Sequence, residues 1–491
     1  MSINLSLDRI RKIQEYLPKY SRPTCHIAGT NGKGSVSALL TSIFQAADPP
    51  LSVGRFNSPH LVSICDCITI DNQPVSLDIY TKARTKVVEA DTTHGLQSSN
   101  FEILTMTALA ILEEAQVDVA VIEVGLGGRL DATNGIFDDR ILASALTSVD
   151  LDHQSFLGNT VAAIAREKAA IARKGKPFIL GAQRHPEVYD VVKEVVPSNG
   201  GELVQASVAH SRDRNSKERD ASPLTLTTLR PEMFPGPPGQ PVEIQIPVFS
   251  EPLSLVLPLQ GQHQLENLGT ALSMFSAIMT HPSCAEFSKH FRQRFTSENV
   301  QSGVARVKWP GRLSFHKIPV PLNTISDENK GDLLVLADGA HNPASSETLG
   351  AYSRPIVDPG SDKQRRTCSR TSHHINTLSP LLPPKIRQQY PNIQIDVNVG
   401  LLRFTSPDGM PWVKSVPPSE LREVVASLDP DATTWIPTTE DDPNGQLAEG
   451  IEWAYKRQRG QDGVLGEGLV VVAGSLYLVA DLYRLLGTAG W

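Results

Sequence analysis

One run constrains the fold more than any other: Val117–Val124, "VDVAVIEV", is almost unbroken in apolar residues. A strand with one face in water alternates apolar and polar side chains, so a strand apolar on both faces must be covered on both. That is the pattern of an interior strand in a parallel sheet flanked by helices. Neighbouring stretches repeat it. Thr24–Ala28 is a candidate strand, followed by a glycine-rich turn and a helix over Ser35–Ala46. Ser99 and Glu102 make a capping box ahead of "ILTMTALAILEEA", which has helical apolar spacing. Ile141–Val149 is the next strand. Asn159 or Thr160 then caps the helix "VAAIAREKAAIARKG", which stops at Gly175, and "PFILGA" resumes the sheet. The first half of the chain is thus expected to be α/β with a parallel sheet.

A chain of 491 residues is long enough for two or three domains. Its net charge of −7 gives no basic surface for nucleic acid, and no apolar stretch approaches a membrane span. Residues 1–20 carry Asp8 and Glu15 without an apolar core, so no secretory signal is expected. Five irregularly spaced cysteines suit a reducing compartment, the cytoplasm by default with a mitochondrial pool left open. Cys65-Asp66-Cys67 lacks the second pair of a zinc site and is expected to be half-buried strand. Residues 207–245, polar and then proline-rich, are expected to be a surface insertion. A second α/β series begins after a boundary near 295–305. It includes strands within Asp332–Pro343 and Gly400–Thr405, and a strand–turn–helix over Gly468–Gly487. Ser353–His374 is polar and basic where the alternation asks for a strand.

The chemistry concentrates at "HIAGTNGKGS", His26–Ser35. The phosphate-loop pattern G-x-x-x-x-G-K-[ST] would put glycine at Ile27 and Ser or Thr at Gly34, so the match is displaced. Even so, Gly29, Gly32 and Gly34 let backbone N–H groups approach an anion, and the following helix adds the positive end of its dipole. Lys33 supplies a charge for phosphates and Ser35 a hydroxyl for Mg²⁺. The alternative is an ordinary strand–helix turn, which needs no lysine. Glu123 ends the buried run, and a lone buried carboxylate calls for a partner or a metal. Asp150, Asp152 and His153 cluster beyond the next strand. Arg166, Glu167 and Lys168 read by themselves as a solvated charged face. Asp338 and His341 flank a turn in the second half, and Ser475 is placed to cap a helix.

Taken together, "HIAGTNGKGS", "FNSPHL", "VIEVGLGGRLDATN", "LDHQSFLGNT", "REKAAI", "GQHQLENL", "WPGRL", "DGAHNP" and "AGSLYL" resemble the folylpolyglutamate synthase/dihydrofolate synthase family of Mur-type amide ligases. The resemblance implies a P-loop parallel-sheet ATPase domain over residues 1–300 and a smaller Rossmann-like α/β glutamate-ligase domain over 301–491. It implies ATP and Mg²⁺ as cofactors and an acyl-phosphate reaction with L-glutamate as the amine. Gly29, Thr30, Asn31, Gly32, Lys33, Gly34 and Ser35 would hold the triphosphate, and Asn267, Arg312 and Asp338 match nucleotide-contacting positions. Ser58, Glu123 and His153 look like Mg²⁺ ligands. Lys168 matches a lysine that the family carbamylates, which displaces the solvated-face reading. Lys33, Glu123, His153 and Lys168 are the expected catalytic set, and His341 and Ser475 are candidates for the glutamate end. The site would lie between two domains of a monomer.

"VSICDCITIDNQPVS", "WPGRL" and "DGMPWV" look closer to the single-function dihydrofolate synthases, whose substrate is dihydropteroate. Two alternatives stay open: a folylpolyglutamate synthase acting on tetrahydrofolate, and a catalytically dead paralogue. A cell-wall Mur ligase is disfavoured because the glycine turn leaves no room for an N-terminal nucleotide-sugar domain.

Overall fold

A computed structural model describes residues 6–212, 234, 236–320, 322, 331–357, 377–382, 396–407, 410, 413–459 and 468–487. The chain divides into two compact units, Met1–Asp213 with Gly239–Trp309, and Arg214–Pro238 with Pro310–Trp491.

In the first unit α1 (Asp8–Gln14) precedes β1 (Thr24–Ala28), and α2 (Lys33–Gln45) follows the glycine turn. Then come β2 (Val53–Phe56), β3 (Ile68–Ile70), β4 (Gln73–Pro74), α3 (Leu77–Thr93), α4 (Asn100–Glu114) and β5 (Val119–Glu123). The series continues through β6 (Ile141–Leu146), α5 (Gln154–Leu157), α6 (Val161–Ala169), β7 (Pro177–Leu180), α7 (Pro186–Ser198) and β8 (Glu202–Gln205). These strands form one eight-stranded sheet, ordered β4-β3-β2-β5-β1-β6-β7-β8. From β2 to β8 the pairings are parallel, and β3 and β4 close one edge antiparallel.

The unbroken apolar run behaves as its composition requires. Along β5, Val119 and Val121 face a core built with α2 and with α8 (Gln262–Thr280), whereas Ala120 and Ile122 face one built with α1, α3 and α4. Helices α6 and α7 cover the rest of that second face. The Ser99–Glu102 capping box is present, and Thr160 accepts from the Ala163 N–H at 3.1 Å as the cap of α6.

Three expectations change in this unit. Helix α6 ends at Ala169, not Gly175. Ile171 and Ala172 are already buried, and the Gly175 N–H binds Gly200 O, so this glycine turns the chain into β7. Cys65 and Cys67 are buried in a 3₁₀ turn rather than half-buried in a strand; Asp66 accepts the Val62 and Ser63 N–H groups there. Residues 207–245 are not all surface. β9 (His210–Ser211), β10 (Gln240–Ile244) and β11 (Leu253–Leu257) pair antiparallel, and Ala209, Val242 and Ile244 join the core with α2 and α8. Helices α9 (Ala285–Phe291) and α10 (Ser297–Ala305) complete this unit.

The second unit holds β12 (Ser314–Val320), antiparallel to β13 (Gly331–Ala337), which pairs in parallel with β16 (Val470–Val472). Helix α11 is Pro343–Val357, and β14 (Asn398–Gly400) pairs with β15 (Thr433–Trp435). Helices α12 (Pro418–Leu428), α13 (Gln446–Arg459) and α14 (Leu476–Leu485) complete it. The strand expected over Gly400–Thr405 stops at Gly400: the Leu401 N–H still reaches Trp435 O, but beyond it backbone N–H groups bind side chains. The Arg403 N–H donates to Gln446 Oε1 and the Thr405 N–H to Asp481 Oδ2. Of Ser353–His374, residues 353–357 finish α11 and the rest lies outside the described residues, as do 408–409 and 411–412 of "DGMPWV". Among the described residues, no helix is long and apolar enough to cross a membrane.

Candidate active site

The glycine turn leaves the central strand β1 and enters α2. Gly29 and Gly32 have φ of 150° and 95°, and neither position has room for a Cβ. At Gly29 that atom would strike Thr147 Oγ1, and at Gly32 the Asn267 side-chain oxygen. A Cβ at Gly34 would strike the Trp309 indole. The turn is pinned from outside: Thr30 and Asn31 N–H donate to Ser148 O, and Thr147 Oγ1 donates to Asn31 O at 2.7 Å. The N–H groups of the first turn of α2 have no carbonyl inside the helix to bind, so they stay available to an anion. Ser35 is buried on that turn, and Asn267 reaches the turn from α8, its amide held by Gln264 Oε1 at 3.0 Å.

Lys33 curls back over the turn, donating to Gly29 O at 3.0 Å and Thr30 O at 3.2 Å. Its Nζ lies 3.7 Å from Glu123 Oε1. Glu123 is at the C-terminal end of β5, and its other oxygen accepts from Asn57 Nδ2 at 2.5 Å. Asn57 also donates to Ser37 Oγ. Ser58 follows Asn57 at the same end of the neighbouring strand β2, so the hydroxyl and the carboxylate share one sheet edge. His153 stands on the loop after β6 with φ of 50° and its ring 3.9 Å from Asp152. Among the described residues, no three His, Cys, Asp or Glu side chains gather closely enough to hold a metal ion by themselves. A hard ion there would draw on Glu123 and Ser58, oxygen donors of the type Mg²⁺ takes.

Lys168 is buried at the end of α6, and its Nζ donates to Gly29 O at 2.9 Å. Burial, with the Lys33 charge close by, pushes its ammonium down to about 7. The structure thus removes Lys168 from the solvated face that its neighbours Arg166 and Glu167 suggested. Lys33, Lys168 and Glu123 converge on one turn; Asn57 of "FNSPHL" and Trp309 of "WPGRL" stand beside them without having been singled out, and Thr147 lies outside the quoted motifs.

In the second unit Arg312, Asp338, His341 and Ser475 fall at the ends of β13 and β16 and on the segment before β12. Burial raises the Asp338 carboxyl, although it accepts the Leu313 N–H (2.8 Å) and the Ala340 N–H (2.9 Å) and lies near Arg312. Arg312 donates to Gly311 O, and His341 Nδ1 lies 2.8 Å from Gly339 O. Ser475 accepts the Tyr477 N–H and caps α14.

Residues 322–485 match the family described as dihydrofolate synthetase, C-terminal domain. The chain is 33% identical over 488 residues to a dihydrofolate synthetase of Saccharomyces cerevisiae, covering 99% of this chain and 98% of that one. It is 31% identical to a probable dihydrofolate synthetase of Schizosaccharomyces pombe, covering 99% of each. Among solved structures, Mycobacterium tuberculosis folylpolyglutamate synthase complexed with ADP superposes with a TM-score of 0.71 at 24% identity, over 99% of this chain and 95% of that one.

Proposed function

The chain belongs to the dihydrofolate synthetase/folylpolyglutamate synthase family of ATP-dependent ligases that join glutamate to folate precursors, and from that premise we propose that its acceptor is dihydropteroate and its product dihydrofolate. The observation that carries the reading is the convergence of Lys33, Lys168 and Glu123 on the glycine turn. Such a site suits a reaction in which charge must be neutralised while phosphate moves.

In this proposal the dihydropteroate carboxylate oxygen bonds to the γ-phosphorus of ATP as the bond to ADP breaks. The glutamate amine then attacks the acyl carbon, and phosphate leaves. The turn suits a nucleotide because it leads into α2, whose first N–H groups have no carbonyl inside the helix to bind and are free to meet phosphate oxygens. Lys33 would leave Gly29 O and Thr30 O to meet the phosphates. Glu123 and Ser58, with His153 from the neighbouring loop, would hold Mg²⁺, which supplies neutralising charge. Lys168, with its ammonium pushed down to about 7, would offer a neutral amine to carbon dioxide and so a carbamate. Arg312 and Asp338 keep the nucleotide role that the resemblance implies, and His341 and Ser475 the glutamate role. Ser475 already serves as a helix cap, so its share in glutamate binding would have to be additional.

The test is glutamate-dependent ADP release by the purified chain with dihydropteroate or tetrahydrofolate. Turnover with dihydropteroate alone is expected. Turnover with tetrahydrofolate makes the chain a polyglutamylating or dual enzyme, and silence with both, from folded protein, makes it a dead paralogue. Glu123→Gln should lower turnover at least 10²-fold, the scale typical of losing a group that stabilises transition-state charge.

A further inference from the structure

His26 opens the glycine motif, yet its side chain has no part in the reading above. It is wholly buried on β1, with Nε2 2.9 Å from Thr133 Oγ1. That hydroxyl lies 2.5 Å from Asp131 Oδ1, which also accepts the Thr133 N–H at 3.0 Å. Asp131 Oδ2 accepts the Leu126 N–H at 2.8 Å. Each carboxylate oxygen accepts a backbone N–H, which favours the ionised acid although burial pushes its pKa up from the ordinary value. The single hydroxyl hydrogen therefore goes to Asp131, and Thr133 accepts from His26. This fixes His26 as the neutral tautomer with hydrogen on Nε2. Among the described residues, the buried Nδ1 has no hydrogen-bond partner and is left bare. Burial and the nearby Arg173 both oppose a charge on the ring.

The loop that Asp131 pins is Gly125–Asp131, and it is pressed against Lys168. A Cβ on Gly128 would lie 2.7 Å from Glu167 O and 3.0 Å from Lys168 Cα. The Arg129 N–H donates to Glu167 O at 2.8 Å, and the Arg129 and Glu167 side chains pair at 3.0 Å. Lys168 in turn donates to Gly29 O, three residues after His26. The contacts close a circuit from β1 through Thr133, Asp131, the loop and Lys168 back to the glycine turn.

We propose that His26 is a positioning residue for Lys168, acting as an Nε2–H donor through Thr133 and Asp131. The link to turnover rests on the assignment of Lys168 to the reaction. A misplacement of about 1 Å can cost about 10²-fold in rate. His26→Met and Thr133→Val should therefore each lower kcat by about 10- to 10²-fold, with the ATP KM nearly unchanged. The double variant should lose no more than the worse single one, because both break one chain. Thr133→Ser, which keeps the hydroxyl, and His26→Gln, which keeps a donor, should recover most of the rate.

Nitrogen NMR of ¹⁵N-histidine-labelled native chain, with the His26 signal identified by its loss in His26→Gln, should show hydrogen on Nε2 and none on Nδ1 from pH 6 to 8. An Nδ1–H tautomer or an imidazolium in that range overturns the chain, whatever the variants do. Equal losses in Thr133→Ser and Thr133→Val, or losses matched by the unfolded fraction alone, overturn the positioning role. If Lys168→Met turns over like the native chain, the link to turnover falls while the tautomer measurement still judges the chain.

Discussion

At the residue scale the site is a set of positions where small changes meet hard neighbours. Gly32→Ala must place a Cβ against Asn267 while holding φ of 95°. Backbone strain of that kind costs about 1–3 kcal/mol. The expected outcome is weaker ATP binding together with a lower urea midpoint; native-like values for both would show that the turn tolerates a side chain. Lys168 makes a prediction with a sign. Its ammonium falls from 10.5 in the unfolded chain to about 7 in the folded one. Folding therefore pays to bury the proton below pH 7, and stability is regained as pH rises from about 7 toward 10. The penalty is on the order of a few kcal/mol at low pH. In carbonate-free buffer, Lys168→Met should be most stabilised relative to the native chain at or below pH 7, with the difference shrinking toward pH 10. A pH-independent difference in urea unfolding would remove the shifted amine from the account. The sequence singled out the glycines, Lys33 and Glu123 from residue type and place. It could not make Lys168 buried, because Arg166-Glu167-Lys168 gives no local sign that one of three charges turns inward.

At the element scale, what was legible followed from periodicity and caps. The β5 run is apolar on both faces because both faces are covered, and the Ser99–Glu102 box marks the start of α4 to the residue. Ser99→Ala should cost about 1 kcal/mol, the usual loss of an N-cap, read as a lower urea midpoint with turnover per folded molecule unchanged. Glu102 also pairs with Arg9 at 3.1 Å, so Glu102→Ala should cost more than Ser99→Ala. Equal costs would mean that the pair with α1 contributes nothing. The missed boundaries have one cause. Gly400–Thr405 and the end of α6 look regular in local pattern, but partners distant in sequence, such as Gln446, Asp481 and Gly200, capture their backbone groups. The strands β9–β11 were obscured because β10 lies across the proline-rich stretch from its partner β9.

At the scale of the whole molecule, the two α/β series correspond to sheets of different kinds. One is an eight-stranded, mostly parallel sheet around β1; in the other, β13 lies between an antiparallel and a parallel neighbour. The order of the motifs made the family legible: a displaced glycine turn, a carboxylate ending an apolar run and the lysine of "REKAAI" follow one another along the chain. Dihydropteroate preference is the less local reading. Asp66 spends its carboxylate on backbone N–H groups, and Cys65 and Cys67 are buried, so these side chains do not reach out to read a substrate. What the whole chain does predict is nucleotide linkage. A ligand at about 100 times its Kd stabilises the state that binds it by about 2.7 kcal/mol. Differential calorimetry with ATP and Mg²⁺ should therefore show a raised melting transition for the native chain, and Lys33→Ala should lose most of that rise relative to its own nucleotide-free transition. The lysine's present contacts are with Gly29 O, Thr30 O and Glu123, so Lys33→Ala also takes a partner from the buried Glu123 carboxylate, and the nucleotide shift is read against each chain's own nucleotide-free transition. A nucleotide shift of native size in Lys33→Ala would mean that the lysine stays with Glu123 when ATP binds, and that the backbone of the turn alone holds the phosphates.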